Sequence, residues 1–328
     1  MLNTLLADLN HDHPVQNGQA FAHTNIALIK YWGKRDTHLN LPITDSLSIG
    51  LPGHGTQATV STFSNEHHII INDSPLSPEH PAWKNLYAYL EQVSHVTYDH
   101  YILSLDFNIP VAAGFASSAS CYASIALALN DLYNWSLNSH SLSIMARLGS
   151  GSAARSIEPG FCLWQAGTQD DGMDSFATQL STQWPELCIG LLHIDDSVKK
   201  QSSRLGMQHT QDTSVLFKSW PKQVARDLVL MQDAIANKDF IALGETAENN
   251  AEAMHACMQS AKPALIYSQP DTLAQKQRLR ALRDNGLPIY YTQDAGPNLK
   301  CVFLSENKDT VLSHFPAMTI IQPFGSNS

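Results

Sequence analysis

The segment Asn108-Ile-Pro-Val-Ala-Ala-Gly114-Phe-Ala-Ser117-Ser118-Ala-Ser120 runs straight into Cys121-Tyr-Ala-Ser-Ile-Ala-Leu-Ala-Leu-Asn130. Its first half is small and hydroxyl-rich, with one glycine. Its second half places Tyr122, Ile125, Leu129 and Leu132 on one helical face. A loop of small residues opening into a helix leaves backbone N–H groups at the positive end of the helix dipole, where anions bind. Gly114 lets the backbone approach a ligand closely, while Ser117, Ser118 and Ser120 offer hydroxyls either to that anion or as caps for the helix. No G-x-x-x-x-G-K-[ST] motif is present, so a phosphate held here draws its counter-charge from elsewhere in the chain.

Upstream, Tyr101–Phe107 reads as the strand that feeds this loop, and Pro81–Val96 as a helix. Between residues 38 and 72 the pattern alternates as in strands, at Leu47–Ile49, Thr56–Val60 and His68–Ile71, with a turn at Asn72-Asp73. The apolar run Ile26–Ile29 suits a buried strand or a short helix. It ends in Lys30, Tyr31, Lys34 and Arg35, a cluster that either snorkels at the surface or faces a pocket for phosphates. Residues 1–20 are polar and aperiodic, which predicts an arm or frayed end.

Downstream, the spacing predicts a helix over Ser141–Leu148, then Gly149-Ser-Gly-Ser-Ala-Ala-Arg155-Ser156. Gly149, Gly151 and Ala154 fit G-x-G-x-x-A, with Asp170 beyond them. A dinucleotide fingerprint must follow a strand, however, and here a helix precedes it, so that reading is rejected. What remains is a compact donor set of Ser150, Ser152 and Arg155, with the arginine either salt-bridged or holding a ligand carboxylate. Pro185–Ile194 reads as a buried strand, leading to Lys199–His209, rich in hydroxyls and cations. Val224–Asn250 reads as a helix that continues through Ala251–Met258, and Asp271–Asn285 as a charged helix ended by Asn285-Gly286. The strands Leu287–Thr292 and Leu299–Leu304 flank Asp294-Ala-Gly-Pro-Asn298, a good turn in which Asp294 could be only the hydrogen-bonding residue.

With 43% hydrophobic and 15% charged residues in 328, the chain has the means for a large core in an α/β unit or two lobes. A net charge of −10 argues against general binding to nucleic acid or anionic membrane. Five dispersed cysteines without C-x-x-C suggest neither a disulfide frame nor a zinc site, and no H-E-x-x-H occurs. The start is too short and polar for a signal peptide, and a reducing cytoplasm is the expected home. The pattern switch near Gln183–Pro185 divides the chain into an arm (1–20), an N-terminal lobe (21–184) and a C-terminal lobe (185–328).

Five separated clusters converge on one family. Ala22-His-Thr-Asn-Ile-Ala-Leu-Ile-Lys-Tyr-Trp-Gly-Lys34 resembles the opening signature of the diphosphomevalonate decarboxylases, and Pro110–Ser120 resembles their phosphate loop. Gly149–Ser156, Ser202-Ser-Arg-Leu-Gly-Met207 and Thr292-Gln-Asp-Ala-Gly-Pro-Asn-Leu-Lys300 resemble three further site motifs, in matching order. Phe115 stands where leucine is usual and Gln293 where methionine is common; neither is a charged site residue.

The resemblance implies the GHMP-kinase fold: an α/β (α+β) protein with an N-terminal lobe like ribosomal protein S5 domain 2, a left-handed crossover, and a deep cleft before a C-terminal α/β lobe. It implies ATP-dependent conversion of mevalonate 5-diphosphate to isopentenyl diphosphate, ADP, phosphate and CO₂, by a cytoplasmic homodimer. Asp294 would orient the tertiary hydroxyl and take its proton, Lys30 would pair with Asp294, and Arg155 would clamp the substrate carboxylate. Tyr31, Lys34, Ser150, Ser152, Ser203 and Arg204 would hold the substrate diphosphate. Gly114, Ala116, Ser117, Ser118 and Ser120 would hold the ATP phosphates, which themselves carry most of the Mg²⁺ coordination. Sister activities stay open: a 3-kinase that stops at phosphorylation, a decarboxylase of a monophosphate, or a silent protein on the same fold.

Overall fold

A computed structural model describes residues 1–12, 15–63, 65–108, 117–195 and 202–325. In chain order come α1 (Leu2–Leu6), β1 (Gly18–Ile29), β2 (Lys34–Asp36), β3 (Leu41–Pro42), β4 (Ser46–Phe63), β5 (His68–Ile71), β6 (Ser74–Pro75), α2 (Trp83–Thr97), β7 (His100–Phe107), α3 (Ser117–Tyr133) and α4 (Ser139–Gly149). After a 3-10 turn at Gly151–Ser156 follow β8 (Phe161–Trp164), β9 (Ala177–Gln179), β10 (Leu187–Leu192), α5 (Ser203–Thr213), α6 (Trp220–Asn237), α7 (Phe240–Gln259), α8 (Pro270–Asp284), β11 (Tyr290–Gln293), β12 (Leu299–Leu304), α9 (Lys308–His314) and β13 (Thr319–Ile321).

Strand β4 is the spine of the larger sheet. The separate strands expected at Leu47–Ile49 and Thr56–Val60 are one strand of 18 residues. Along one edge β4 pairs antiparallel with β1, from Gly18↔Val60 to Ile29↔Leu47, with register shifts at His23/Thr24 and Ala27/Ile29. Along the other, its C-terminal half pairs with β7 and its first four residues with β8. Antiparallel strands of such different lengths can share one long partner only because each takes a different stretch of its N–H and C=O groups. The turn expected at Asn72-Asp73 joins β5 to β6, and both residues adopt the left-handed backbone that such a hairpin needs, with φ of 46° and 61°.

The helix that follows the small-residue loop, α3, is central. Ile125, Ala126, Leu129 and Leu132 are fully buried. Gly18 on β1 lies so close to this helix that a Cβ there would stand 2.1 Å from the Ala128 carbonyl oxygen. The C-terminal sheet runs β11-β12-β10-β13 and is antiparallel throughout.

Two expectations are corrected. The first residues do not behave as a frayed arm: Leu2 and Leu6 are buried in the core of α2 and α3, and the Trp135 indole donates to the Asn10 carbonyl at 3.1 Å. An apolar one-turn helix can dock although it is too short to show a period. The single helix expected over Val224–Met258 is two helices, α6 and α7. Lys238 turns left-handed at φ 52°, and the Asp239 carboxylate caps the next helix by accepting from Ala242 N at 3.0 Å. No helix among the described residues is long and apolar enough to cross a membrane.

Candidate active site

Lys30 leaves the end of β1 under tight control. Its backbone N–H donates to Asn250 Oδ1 at 2.8 Å, and its Nζ donates to the Ala27 carbonyl at 2.8 Å and to Asp294 Oδ1 at 2.6 Å. Asp294 sits in the turn between β11 and β12, its carbonyl accepting from Gly296 N at 2.8 Å and lying 3.2 Å from His255 Nε2. The other carboxylate oxygen, Oδ2, accepts from Lys300 Nζ at 2.8 Å. The two lysine side chains are 2% exposed and that of Asp294 is 28% exposed, so the ammonium groups lie beneath and the carboxylate looks outward.

The electrostatics follow from this burial. Desolvation pulls Lys30 down to about 8, opposed by Asp294 and reinforced by Lys300 and Arg155. Burial alone would raise Asp294. The ammonium groups of Lys30 and then Lys300 outweigh it and hold the carboxyl far below the usual carboxylate range.

Arg155 occupies the 3-10 turn after α4 and is 3% exposed. Its Nη1 donates to Ser46 Oγ, and its guanidinium lies 5.6 Å from the centre of the Trp164 ring. Its Nε is buried without a hydrogen-bond partner, and no carboxylate forms an ion pair with it among the described residues. Burial lowers it to about 10. Of the two roles left open for Arg155, the internal salt bridge is therefore not the one seen.

These groups open onto a cavity of about 940 Å³ whose wall also carries Tyr31, Lys34, Ser118, Ser150, Ser152, Ser203 and Arg204. Tyr31 packs edge-on against Trp164 at 4.8 Å, and its buried hydroxyl has no hydrogen-bond partner. Lys34 Nζ donates to Asn40 Oδ1 at 2.5 Å, while Asn40 Nδ2 donates to the Arg147 and Leu148 carbonyls at 2.9 Å. Burial, with Arg204 nearby, lowers Lys34 to about 8. Ser150 Oγ is 3.3 Å from both Ser118 Oγ and Ser152 Oγ. Helix α5, capped by the Ser202 side chain accepting from Leu205 N at 3.3 Å, brings Ser203 and Arg204 to the rim.

The phosphate-loop expectations divide. Ser118 lies in the first turn of α3 and reaches the cavity. Ser120 does not: it is fully buried and its Oγ shares a 2.7 Å hydrogen bond with Thr56 Oγ1, because on a helix two residues from Ser118 it faces the sheet. Gly114, Ala116 and the side chain of Ser117 lie outside the described residues.

Two family models cover most of the chain. The diphosphomevalonate decarboxylase-like N-terminal domain matches residues 22–177, and the mevalonate 5-diphosphate decarboxylase C-terminal domain matches residues 190–323. The chain belongs to the diphosphomevalonate decarboxylase family. The diphosphomevalonate decarboxylase of Gibberella zeae is 34% identical over 320 residues, covering 91% of this chain and 83% of its own. The mevalonate diphosphate decarboxylase of Staphylococcus aureus superposes with a TM-score of 0.89 at 33% identity, covering 94% of this chain and 96% of that one. A solved complex of MDDEF with MVAPP, AMPPCP and magnesium superposes at 0.88 and 35% identity, covering 93% and 96%. The mixed α/β architecture is thus that of solved decarboxylases of this family.

Four site residues escaped the sequence reading of this decarboxylase. Lys300 lies within the quoted Thr292–Lys300 motif but received no role, although a lone charge in Leu-Lys-Cys-Val-Phe-Leu signals a buried partner. Asn25, whose Nδ2 donates to Ser156 Oγ at 2.7 Å and to the Ser152 carbonyl at 3.2 Å, ties β1 to the arginine turn. Ser46, between Asp45 and Leu47, and Asn40, between Leu39 and Leu41, had no local signal beyond their polarity.

Proposed function

We propose that this chain performs the ATP-dependent decarboxylation of mevalonate 5-diphosphate, giving isopentenyl diphosphate, ADP, phosphate and CO₂. One observation carries the reading: Asp294 is held ionised by buried ammonium groups in the cavity where Arg155, buried and without a carboxylate in ion-pair contact among the described residues, stands beside Tyr31, Lys34 and Arg204. A buried arginine with no carboxylate in direct contact is expensive, so the arrangement makes sense once a ligand supplies the anion. The relative solved with MVAPP, AMPPCP and magnesium supports the same ligand classes.

The tertiary 3-hydroxyl donates a hydrogen bond to Asp294, which orients its oxygen toward the terminal phosphorus of ATP. As the oxygen–phosphorus bond forms and ADP departs, the hydroxyl proton passes to Asp294, with Lys30 moderating the charge. The bond from C3 to the phosphorylated oxygen then breaks, phosphate leaves with the electron pair, and positive charge gathers on C3. The electrons of the bond between C2 and the carboxyl carbon close the double bond, and CO₂ leaves. Arg155 aligns the carboxylate for that loss. Tyr31, Lys34, Ser150, Ser152, Ser203 and Arg204 hold the diphosphate, and Ser118 meets the nucleotide phosphates.

Magnesium fits as an ion brought by the nucleotide. Both Asp294 oxygens already accept from ammonium groups, and no cluster of three or more His, Cys, Asp or Glu gathers among the described residues. Bound to ATP, it neutralises phosphate charge. We further place the working protein in the cytoplasm as a homodimer of two-lobed chains dividing near residue 184; five buried free cysteines suit a reducing compartment. Light scattering on a size-exclusion column checks the dimer.

The deciding experiment incubates the purified chain with ATP and either mevalonate 5-diphosphate or the 5-monophosphate, measuring ADP, phosphate and CO₂. Equimolar release of all three from the diphosphate, with much lower kcat/KM for the monophosphate, is expected. ADP without CO₂ would identify a kinase instead.

A further inference from the structure

We propose that Lys300 is a second positioning residue for this reaction, holding the carboxylate of Asp294 by its far oxygen while Lys30 holds the near one. The inference rests on Asp294 being the group that orients the substrate hydroxyl.

The geometry separates the two lysines by origin. Lys30 arrives from β1, 264 residues away in sequence. Lys300 belongs to the same hairpin as its partner: it is the register partner of Thr292 across β11 and β12, with Asp294 in the loop they enclose. Within that loop Gly296 N donates to the Asp294 carbonyl at 2.8 Å, and Gln293 Nε2 donates to the Gly296 carbonyl at 2.7 Å. The register of the hairpin thus sets the Lys300 backbone beside Asp294.

Two donors on opposite oxygens fix what one cannot. A carboxylate gripped at Oδ1 alone can still swing about its Cβ–Cγ bond. Gripped also at Oδ2, it keeps one plane, and the lone pairs left over point to the exposed side, the cavity. Burying an ammonium inside a strand whose neighbours Leu299, Cys301 and Val302 are fully buried is costly, and structural needs would be met more cheaply by an apolar residue. The charge is placed where it acts on Asp294.

The charged and titratable groups facing Asp294 are Lys30 from β1, Lys300 from β12, Arg155 from the 3-10 turn and His255 from α7, the last against its carbonyl. His255 is pushed down to about 4, chiefly by burial, so it is neutral in the working range and does not replace Lys300. An opposite charge this close lowers a carboxyl by about 1–3 pH units, so losing Lys300 should return part of that shift.

The test uses the full chain and five proteins: wild type, Lys300→Gln, Lys300→Arg, Asp294→Asn and the double variant Asp294→Asn/Lys300→Gln. CO₂ release from mevalonate 5-diphosphate and ATP is followed across pH, with melting curves. Lys300→Gln should lower kcat about tenfold or more while changing either KM less than about threefold. Lys300→Arg should recover most of the rate. In the Asp294→Asn background the Gln substitution should cost no further rate, because the carboxylate it serves is gone. That comparison of rates also decides the case if Lys300→Gln alone folds poorly. Unchanged kcat in Lys300→Gln, or an equal rate loss with and without Asp294, would overturn the proposal. A wild-type protein that releases no CO₂ overturns instead the activity on which it rests.

Discussion

Asn250 Oδ1 accepts the backbone N–H of Lys30 at 2.8 Å, joining the exit of β1 to the middle of α7. The same side chain donates through Nδ2 to Asp227 Oδ2 on α6 at 2.9 Å, and it is fully buried. One asparagine thus fixes where the strand ends, and so where the Lys30 ammonium is aimed.

Asn250→Ala should therefore weaken both stability and catalysis. It leaves a buried N–H without its acceptor and Asp227 without one donor, at about 1–3 kcal/mol for each unsatisfied group. A clear drop in Tm by scanning fluorimetry, with kcat down about tenfold, is expected. A variant that melts and turns over like wild type would show that Lys30 is held without it.

Asp294→Asn and Arg155→Gln should fail differently. The first removes the base and should cut kcat by about a hundredfold with KM nearly unchanged. It also leaves two buried ammonium groups without their counter-charge, so Tm should fall. The second loosens the grip on the substrate carboxylate and should raise KM as well as lower kcat. Near wild-type kcat in Asp294→Asn would reduce that residue to the turn-former its surroundings also permit.

Raising the pH should inactivate the enzyme in a recognisable way. Lys30 and Lys34 are each lowered to about 8, chiefly by burial, so both are charged below that pH and lose their protons as it rises through it. The alkaline limb of kcat/KM should approach a slope of two. Lys34→Arg keeps the charge through this range and should flatten the limb to a slope of one. Identical limbs in the two proteins would exclude Lys34 as a titrating group.

Gly151→Ala tests the packing of the pocket proposed for the diphosphate. Its Cβ would stand 2.7 Å from the Tyr31 hydroxyl and 2.8 Å from the ring, and that ring is backed by Trp164. Since the ring has no room to retreat, overpacking of about 1–3 kcal/mol is expected, with KM for mevalonate 5-diphosphate raised about tenfold and KM for ATP little changed. Equal effects on both KM values would place the damage in the fold rather than in the pocket.

Much of this site was legible because its chemistry sits in short runs. Lys30, Tyr31 and Lys34 occur within five residues, and Ser150, Ser152 and Arg155 within six. Their spacing survives in one dimension. Helices α3 and α4 announced themselves by period, and Asn72-Asp73 by turn chemistry. What was hidden needs the third dimension. Ser46 meets Arg155 only because β4 runs beside the arginine turn, and Asn40 meets Lys34 only after the chain has folded back through β3. Ser120 looked like its neighbour Ser118 until the helix turned it toward Thr56. The break at Lys238 was invisible because the apolar rhythm continues across it, and only the capping by Asp239 marks a new start.

The larger hydrophobic core does not respect the midpoint of the chain. Ile26, Ile29, Trp32, Leu47, Ile49, Phe161 and Trp164 share it with Trp220, Val224, Met231, Leu243 and Met254. The indole of Trp220 even donates to the Trp32 carbonyl at 2.9 Å. Exchange of segments between relatives is therefore constrained. A chimaera taking only residues 185–328 from another family member would set a foreign set of side chains against β1 and β4, and would mismatch the close-packed surface that carries Lys30. The transferable unit is discontinuous: the C-terminal part together with 26–51 and the 3-10 turn. Recombination breakpoints tolerated in this family should avoid separating those pieces, however convenient the pattern switch near Gln183–Pro185 looks on paper.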